Sequence, residues 1–236
     1  MTTEATAIVV AAGEGRRMGG GEPKQFLDLD GRPLFTWALL PFQAHPEVTG
    51  IVVVLPADEV SAWERRLVEE FGFGKVTAVV AGGDRRRDSV RAGLEAALET
   101  GDDADRLIAV HDGARPLLSI ELLSRCLAAA RESGAAIPVV AVADTLVRAG
   151  QQDRWDGLVE RSDLRRVQTP QVFRAGLLRR AHEAQDAAAA SDDAQLVAAL
   201  GHPVALVAGE EWNIKVTSLR DLEIAARLLS AEGNLG

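Results

Sequence analysis

Short β-rich apolar runs alternate with longer segments of helical periodicity along most of this chain, which points to a sheet covered by helices on both faces. The runs Ala7 to Ala12, Ile51 to Leu55, Val76 to Ala81 and Leu107 to His111 are nearly continuous in apolar character. Helical stretches follow them at Pro33 to His45, Asp58 to Phe71, Asp88 to Glu99 and Ser119 to Ser133. Pro33 suits a first helical turn, and Pro41 is expected to bend or split its helix. The pattern predicts an α/β fold with a doubly wound, mostly parallel sheet, whose chemistry lies beyond the carboxyl ends of the strands where the topology reverses. Further helices are expected at Ala175 to Ala189 and Asp192 to Leu200, then a strand at Val204 to Ala208 and a last helix at Ser218 to Ser230, capped by Ser218.

The alternation fails between Ala143 and Thr169, a polar stretch in which Gly150-Gln151-Gln152-Asp153 reads as a turn between two short extended segments. We expect a protruding β arm there, at about 143–169, as an excursion from a single domain over residues 1–236. An arm with unpaired edges is a liability for a monomer, so a homodimer formed through it is expected.

With 26 Lys+Arg against 35 Asp+Glu, the net charge of −9 disfavours broad binding to nucleic acid or an anionic membrane, so an anionic small substrate needs a local basic site. The single cysteine, Cys126, lies in an apolar helical stretch and can form neither an intrachain disulfide nor a cysteine-rich zinc site. Met1 to Ala12 lacks the basic region of a secretory signal and no apolar stretch is long enough to span a bilayer, which leads to the expectation of a cytoplasmic enzyme.

Three loops follow apolar strands and combine glycine with charge: Gly13 to Gln25, Gly82 to Arg87, and Asp112 to Pro116. The first carries Ala11-Ala12-Gly13-Glu14-Gly15-Arg16-Arg17-Met18, with Lys24 following in Pro23-Lys24-Gln25. Glycines let successive backbone N–H groups converge on a polyphosphate, and two cations from the same loop neutralise what amides cannot. The P-loop order is missing, and so are the dinucleotide glycine spacing and the acidic ribose partner that a dehydrogenase needs. A lone Gly-x-Gly reads as readily as a surface turn with solvated arginines; Arg-Arg-Met and Pro-Lys-Gln beside it favour a nucleotidyltransferase signature. Asp88 or Ser89 can equally serve as helix caps, and His111 at a strand end reads as a structural side chain.

Five motifs in order extend that signature: the first loop with Pro-Lys-Gln-Phe; Gly82-Gly83-Asp84 with Asp88-Ser89-Val90; His111-Asp112-Gly113-Ala114-Arg115-Pro116; Gln168-Thr169-Pro170-Gln171; and Asn213-Ile214-Lys215-Val216-Thr217. Together the chain resembles the 2-C-methyl-D-erythritol 4-phosphate cytidylyltransferases of the non-mevalonate isoprenoid pathway along nearly its whole length. The resemblance implies a Rossmann-like nucleotidyltransferase sheet and transfer of CMP from CTP to 2-C-methyl-D-erythritol 4-phosphate, with pyrophosphate released. It makes Arg17 and Lys24 the cations that stabilise the pentacovalent α-phosphorus, and Arg161 and Lys215 catalytic residues that grip and position the attacking substrate. Ala11, Ala12, Gly13, Gly15, Gly83, Asp84 and Ser89 are implied to bind the nucleotide. Asp112, Arg115, Thr145, Arg161, Thr169 and Lys215 are implied to bind the polyol phosphate, with the arm residues reaching the neighbouring subunit's site.

Magnesium, or another divalent cation, is expected to bridge the CTP phosphates, with no dedicated protein cage and Asp112 as a possible ligand. Gly19-Gly20-Gly21 suggests a loop that orders when CTP and magnesium bind. Ser191-Asp192-Asp193 and Gly113 depart slightly from the family's usual residues without removing a charged group. Two alternatives stay open: a ribitol-5-phosphate cytidylyltransferase, and a noncatalytic nucleotide-binding protein on the same fold.

Overall fold

The computed structural model describes residues 4–13, 23–99, 103–184 and 192–232. In chain order these form β1 (Ala5–Val10), β2 (Asp28–Leu29), β3 (Arg32–Pro33), α1 (Leu34–Ala44), β4 (Val48–Leu55), α2 (Val60–Glu69) and β5 (Val76–Ala81). They continue with α3 (Arg86–Glu99), β6 (Leu107–Asp112), α4 (Ile120–Ser133), β7 (Ala135–Ala141), β8 (Leu146–Ala149), β9 (Trp155–Val159) and β10 (Arg165–Val167). The last elements are β11 (Gln171–Arg174), α5 (Ala175–Glu183), α6 (Asp193–Ala199), β12 (Ala205–Ala208) and α7 (Leu219–Glu232).

The apolar runs assemble as expected into a mostly parallel sheet. β1 lies between β4 and β6, parallel to both, and β5 extends the sheet beyond β4. The chain steps outward from β1 through β4 to β5, then returns to β1's other flank with β6. That reversal opens a crevice at the carboxyl ends of β1 and β6, where Val10 and Asp112 are in register. β11 runs antiparallel between β6 and β7, β10 continues along the same flank of β7, and β12 pairs parallel on β7's other side.

Alternate residues of the central strands feed opposite layers, as the pleat requires. Ala5, Ala7 and Val9 face Phe35, Trp63 and Leu123 from α1, α2 and α4, while Ile8, Val52 and Val110 face Val90, Leu178 and Val197 from α3, α5 and α6. A third cluster, Leu29, Leu34, Leu117, Val216 and Ala225, packs α7 against the β2 and β3 hairpin. α4 is bounded by Ser119, whose hydroxyl accepts from Leu122 N–H at 3.0 Å, and by Gly134 in the left-handed region at φ 83°. Cys126 is buried on this helix, and burial pushes its thiol up to about 12. Ser218 caps α7 reciprocally: its hydroxyl accepts from Asp221 N–H, and the Asp221 carboxylate accepts from Ser218 N–H.

Three local expectations change. Pro41 does not split α1, because it falls near the end of the helix, where His45 N–H still closes onto the Pro41 carbonyl at 2.9 Å and the helix face carrying Ala38, Pro41 and Phe42 is buried. Pro33 is the cap residue of α1 and belongs to β3. The two-residue strands β2 and β3 were not expected; they are tied to α1 by Trp37 Nε1–H donating to the Leu29 carbonyl at 2.7 Å. Of the helix expected at Ala175 to Ala189, residues 185–189 lie outside the described residues, as do Gly15, Arg17, Gly19, Gly20, Gly21 and Ser191.

Within 143–169, β8 and β9 form an antiparallel hairpin closed by a turn at Gln151–Asp153. Trp155 and Leu158 stand 67% and 68% exposed on it, an unusual placement for large apolar side chains.

Gly93 of α3 crosses the sheet where a side chain has no room: a Cβ there would approach Ile8 Cγ2 to 2.5 Å and Val54 Cγ2 to 2.9 Å. Gly93→Ala is expected to destabilise the protein by about 1–3 kcal/mol through overpacking, against the gain in helix propensity. Urea denaturation checks this, and unchanged or higher stability contradicts it.

Candidate active site

The first loop leaves β1 through Ala11, Ala12 and Gly13 and is pressed against the loop after β5. Ala11 N–H donates to the Val54 carbonyl at 2.8 Å, and Gly82 N–H donates to the Leu55 carbonyl at 2.8 Å. A Cβ on Gly82 would meet Ala12 Cβ at 2.2 Å, so the two loops lie side by side only because residue 82 has no side chain. Ser89 is buried below them; its hydroxyl accepts from Gly83 N–H at 3.2 Å and lies within donor range of the Gly83 and Arg85 carbonyls. Ser89 therefore shapes the Gly82–Gly83 turn from inside the first turn of α3, three residues past its start. Asp88 pairs with Arg85 at 2.9 Å, and Asp84 is exposed at the loop's tip.

On the other side of the switch point, Asp112 ends β6 and gathers cations. Its Oδ1 accepts from Arg86 Nε at 3.2 Å, its Oδ2 accepts from Lys215 Nζ at 2.8 Å, and Arg115 Nε stands 3.8 Å from Oδ2. Burial by itself raises a carboxyl, but Arg86, Lys215 and Arg115 together hold Asp112 well below the usual carboxylate range. Burial likewise opposes the charge on Arg86, yet Asp193 and Asp112 raise its affinity for the proton above that of an ordinary guanidinium. Arg115 is shifted down by burial and by its neighbour Arg86, with Asp112 opposing.

Gln168-Thr169-Pro170-Gln171 braces this arrangement from beneath. The Thr169 hydroxyl accepts from Asp112 N–H at 3.2 Å and meets His111 Nδ1 at 2.8 Å. Gln168 Nε2 donates to the Glu210 carbonyl at 2.7 Å, Asn213 Nδ2 donates to the Thr169 carbonyl at 2.9 Å, and Gln171 Oε1 accepts from Ala194 N–H at 3.1 Å. The loop that carries Lys215 is fixed further by Arg115 Nη1 donating to the Asn213 carbonyl at 2.7 Å and by Val216 N–H donating to the Ala114 carbonyl at 2.8 Å. Lys24, at the start of the short 3₁₀ turn Lys24–Phe26, donates its ammonium to the Val216 carbonyl at 3.0 Å. Lys24 and Lys215, far apart in sequence, thus meet on one segment.

Among the expected site residues, Ala11, Ala12, Gly13, Gly83, Asp84 and Ser89 line the paired loops, and Lys24, Asp112, Arg115, Thr169 and Lys215 form one connected group. Thr169 is buried, with its hydroxyl committed to the Asp112 backbone and His111. Thr145 and Arg161 are exposed on the arm, where Arg161 donates to the Ala143 carbonyl. Arg86, Asp193 and Asn213 escaped the sequence reading as site-shaping side chains; the loop from Gly82 to Arg87 stood out, but nothing local distinguishes Arg86 from Arg85 and Arg87, and it is Arg86 that turns inward to two carboxylates. Among the described residues, no group of three His, Cys, Asp or Glu is placed to hold a metal ion, and no helix is long and apolar enough to cross a membrane.

A doubly wound sheet with glycine loops appressed at its switch point, and with a cluster in which Arg86, Arg115 and Lys215 outnumber the carboxylates Asp112 and Asp193, defines an α/β protein that handles a nucleotide's phosphates. The family model for 2-C-methyl-D-erythritol 4-phosphate cytidylyltransferase (IspD) matches residues 5–231. Proteins of that name from Alkaliphilus metalliredigens and Geobacter metallireducens are 40% and 41% identical, with alignments covering 98% and 93% of this chain and 95% and 94% of theirs. The crystal structure of the Thermus thermophilus cytidylyltransferase superposes with a TM-score of 0.74 at 36% identity, covering 97% of this chain and 98% of that one. The chain belongs to the 2-C-methyl-D-erythritol 4-phosphate cytidylyltransferase family, and it is a nucleotidyltransferase enzyme.

His111 is completely buried and its Nε2 reaches the Arg115 carbonyl at 3.1 Å, while burial pushes its pKa down to about 4. An unfolded histidine takes up its proton near pH ~6.5, so between there and about 4 the unfolded chain binds the extra proton and the folded one does not. Stability from this group is complete above the upper limit and falls as pH drops through the window, by about 3 kcal/mol in all. Urea titrations from pH 7 to 4 are expected to show that loss, with a shallower slope for His111→Gln; equal slopes would contradict it.

Proposed function

We propose that the switch-point crevice transfers CMP from CTP to the phosphate of 2-C-methyl-D-erythritol 4-phosphate, the step this family catalyses in isoprenoid precursor synthesis. The meeting of Lys24, held on the Val216 carbonyl, with Lys215, held on Asp112, carries the reading, because it creates local positive charge in a chain whose net charge is −9. A phosphate oxygen of the polyol substrate attacks the α-phosphorus of CTP; the new P–O bond forms as the bond to the β-phosphate oxygen breaks, and pyrophosphate leaves with the electron pair. A phosphate monoester dianion has no proton to surrender, so the protein's task is alignment and charge stabilisation. Buried, acid-shifted His111 suits no base role.

In this reading Arg17 and Lys24 stabilise the charge that accumulates at the α-phosphorus, while the backbone of Ala11 to Gly13, with Gly15, cradles the triphosphate. Gly83, Asp84 and Ser89 present the cytosine edge with its partners, Ser89 by holding the turn. Lys215 and Arg115 orient the polyol phosphate around Asp112, which the buried Thr169 supports through its backbone. Arg161 and Thr145, exposed on the arm, reach substrate across a homodimer in which Trp155 and Leu158 become covered. A divalent ion, magnesium above all, would supply charge neutralisation between the phosphates. The Asp112 oxygens already accept from Arg86 and Lys215, so this carboxylate is a poor metal ligand, and phosphate oxygens fit the ion better. A cytoplasmic setting, away from membranes and nucleic acid, agrees with the acidic charge and the free buried thiol.

Pyrophosphate release with magnesium and CTP is expected with methylerythritol phosphate and not with ribitol 5-phosphate, and UTP or ATP should replace CTP poorly; release with ribitol 5-phosphate alone would transfer the chain to that substrate. Lys24→Met is expected to lower kcat by at least about 10²-fold, by analogy with loss of an oxyanion donor. Near-normal turnover would remove Lys24 from the transition state. Sedimentation at micromolar concentration should give a dimer mass that shifts to monomer when Trp155 and Leu158 are both changed to Ser; a monomeric wild type would refute the arm-mediated dimer.

A further inference from the structure

Behind the cationic cluster lies a second, buried polar pair, Asp193 with His182, for which the proposed transfer step has no direct use. Asp193 is the first residue of α6, but it does not cap that helix; Asp192 does, accepting from Gln195 N–H at 2.9 Å. Both Asp193 oxygens turn inward instead. Oδ2 accepts from Arg86 Nη1 at 2.6 Å, and Oδ1 faces His182 Nε2 at 3.0 Å, with Asp193 and His182 only 1% and 4% exposed. Opposite a carboxylate, Nε2 must be the nitrogen that carries hydrogen and donates. A buried carboxylate is costly unless paired, so a fold that places one here commits both its partners to fixed positions.

The elements around the pair are pinned as well. Arg87, beside Arg86 on α3, donates from Nη2 to the His182 carbonyl at 2.9 Å and holds that turn of α5 against α3. Gln171 of β11 holds the start of α6 through Ala194 N–H. Arg86 then bridges two carboxylates with different nitrogens, Nε to Asp112 and Nη1 to Asp193, which fixes the plane of the guanidinium. Beyond it, Lys215 is 41% exposed along its side chain, and its ammonium is held by Asp112.

We propose that Asp193 and His182 are positioning residues for CMP transfer: through Arg86 they fix the Asp112 carboxylate, and through that carboxylate they aim the Lys215 ammonium at the attacking phosphate. The proposal rests on the functional reading above. It explains why a guanidinium rather than an ammonium occupies position 86, since a lysine there presents a single point charge and cannot serve both carboxylates along one planar fork. It also gives Asp193 a role that the capping of α6 leaves open.

The experiment measures kcat and KM for CTP and methylerythritol phosphate in the wild type, Asp193→Asn, Arg86→Lys and the double variant, with thermal melts to confirm folding. Each single variant is expected to lose about 10-fold in kcat, as displacement of a reacting group does, with KM for CTP within about twofold of wild type. The double variant should be no slower than Arg86→Lys alone, because the two changes break one chain of contacts. Multiplying losses, or a wild-type kcat in Arg86→Lys, would overturn the proposal. Should Asp193→Asn fail to fold, the His182 pair decides: His182→Ala is expected to lose about threefold or more in kcat, and His182→Gln, which restores an N–H donor, to recover it. A wild-type kcat in His182→Ala, or no recovery in His182→Gln, would also overturn it. A silent wild type would instead defeat the functional reading, whereas an active wild type with any overturning result defeats only this proposal.

Discussion

The architecture of the site depends on one carboxylate. Asp112 sits at the end of a central strand with Arg86 and Lys215 on its two oxygens and Arg115 beside them. Unit charges about 4 Å apart interact by about 4 kcal/mol at the effective dielectric of a protein surface, so three cations gathered without a counter-charge would repel strongly. Asp112 permits their approach, and Asp193 shares the load by taking Arg86's other edge. The cluster still keeps more cations than carboxylates, and that surplus suits a crevice that receives anions.

The remaining parts of the fold bring that carboxylate opposite the glycine loops. Register between β1 and β6 sets Val10 beside Asp112, and Gly113 N–H closes onto the Val10 carbonyl at 2.9 Å. A Cβ at Gly113 would stand 2.8 Å from Ala11 Cβ, so the loop after β6 can lie this close to the loop after β1 only without one. Gln168, Thr169 and Gln171 then tie three separate segments, the Glu210 to Asn213 loop, the end of β6 and the start of α6, to one antiparallel strand region. The motif works as a brace whose polar side chains are consumed by the backbone of its neighbours, a use consistent with their burial.

Physical division of labour follows from burial. Side chains that set geometry, such as His111, Thr169, Asn213, Ser89 and Asp193, are nearly inaccessible, while Lys215 keeps part of its surface open. Buried polar groups hold fixed partners and resist rearrangement, which preorganises the exposed charges for a reaction that asks mainly for alignment. The arm, with Trp155 and Leu158 outward, lacks such internal anchoring on that face and is the part of the fold best suited to meeting another molecule.

Sequence alone determined the layered α/β class, because strands buried on both faces must be apolar almost throughout and the runs Ala7 to Ala12, Ile51 to Leu55 and Leu107 to His111 meet that demand. It also singled out, by glycine beside charge, the loops after β1, β5 and β6, which the fold packs side by side, and the motif order identified the family. It did not show that Pro41 is accommodated within α1, that β11 runs against its neighbours, or that Arg86 alone of three consecutive arginines bridges two carboxylates. Those outcomes depend on packing and on pairings between residues as distant as Arg86 and Asp193. Local sequence records which side chains can carry charge, but only the tertiary fold decides which charges are desolvated together, and desolvation sets their strength.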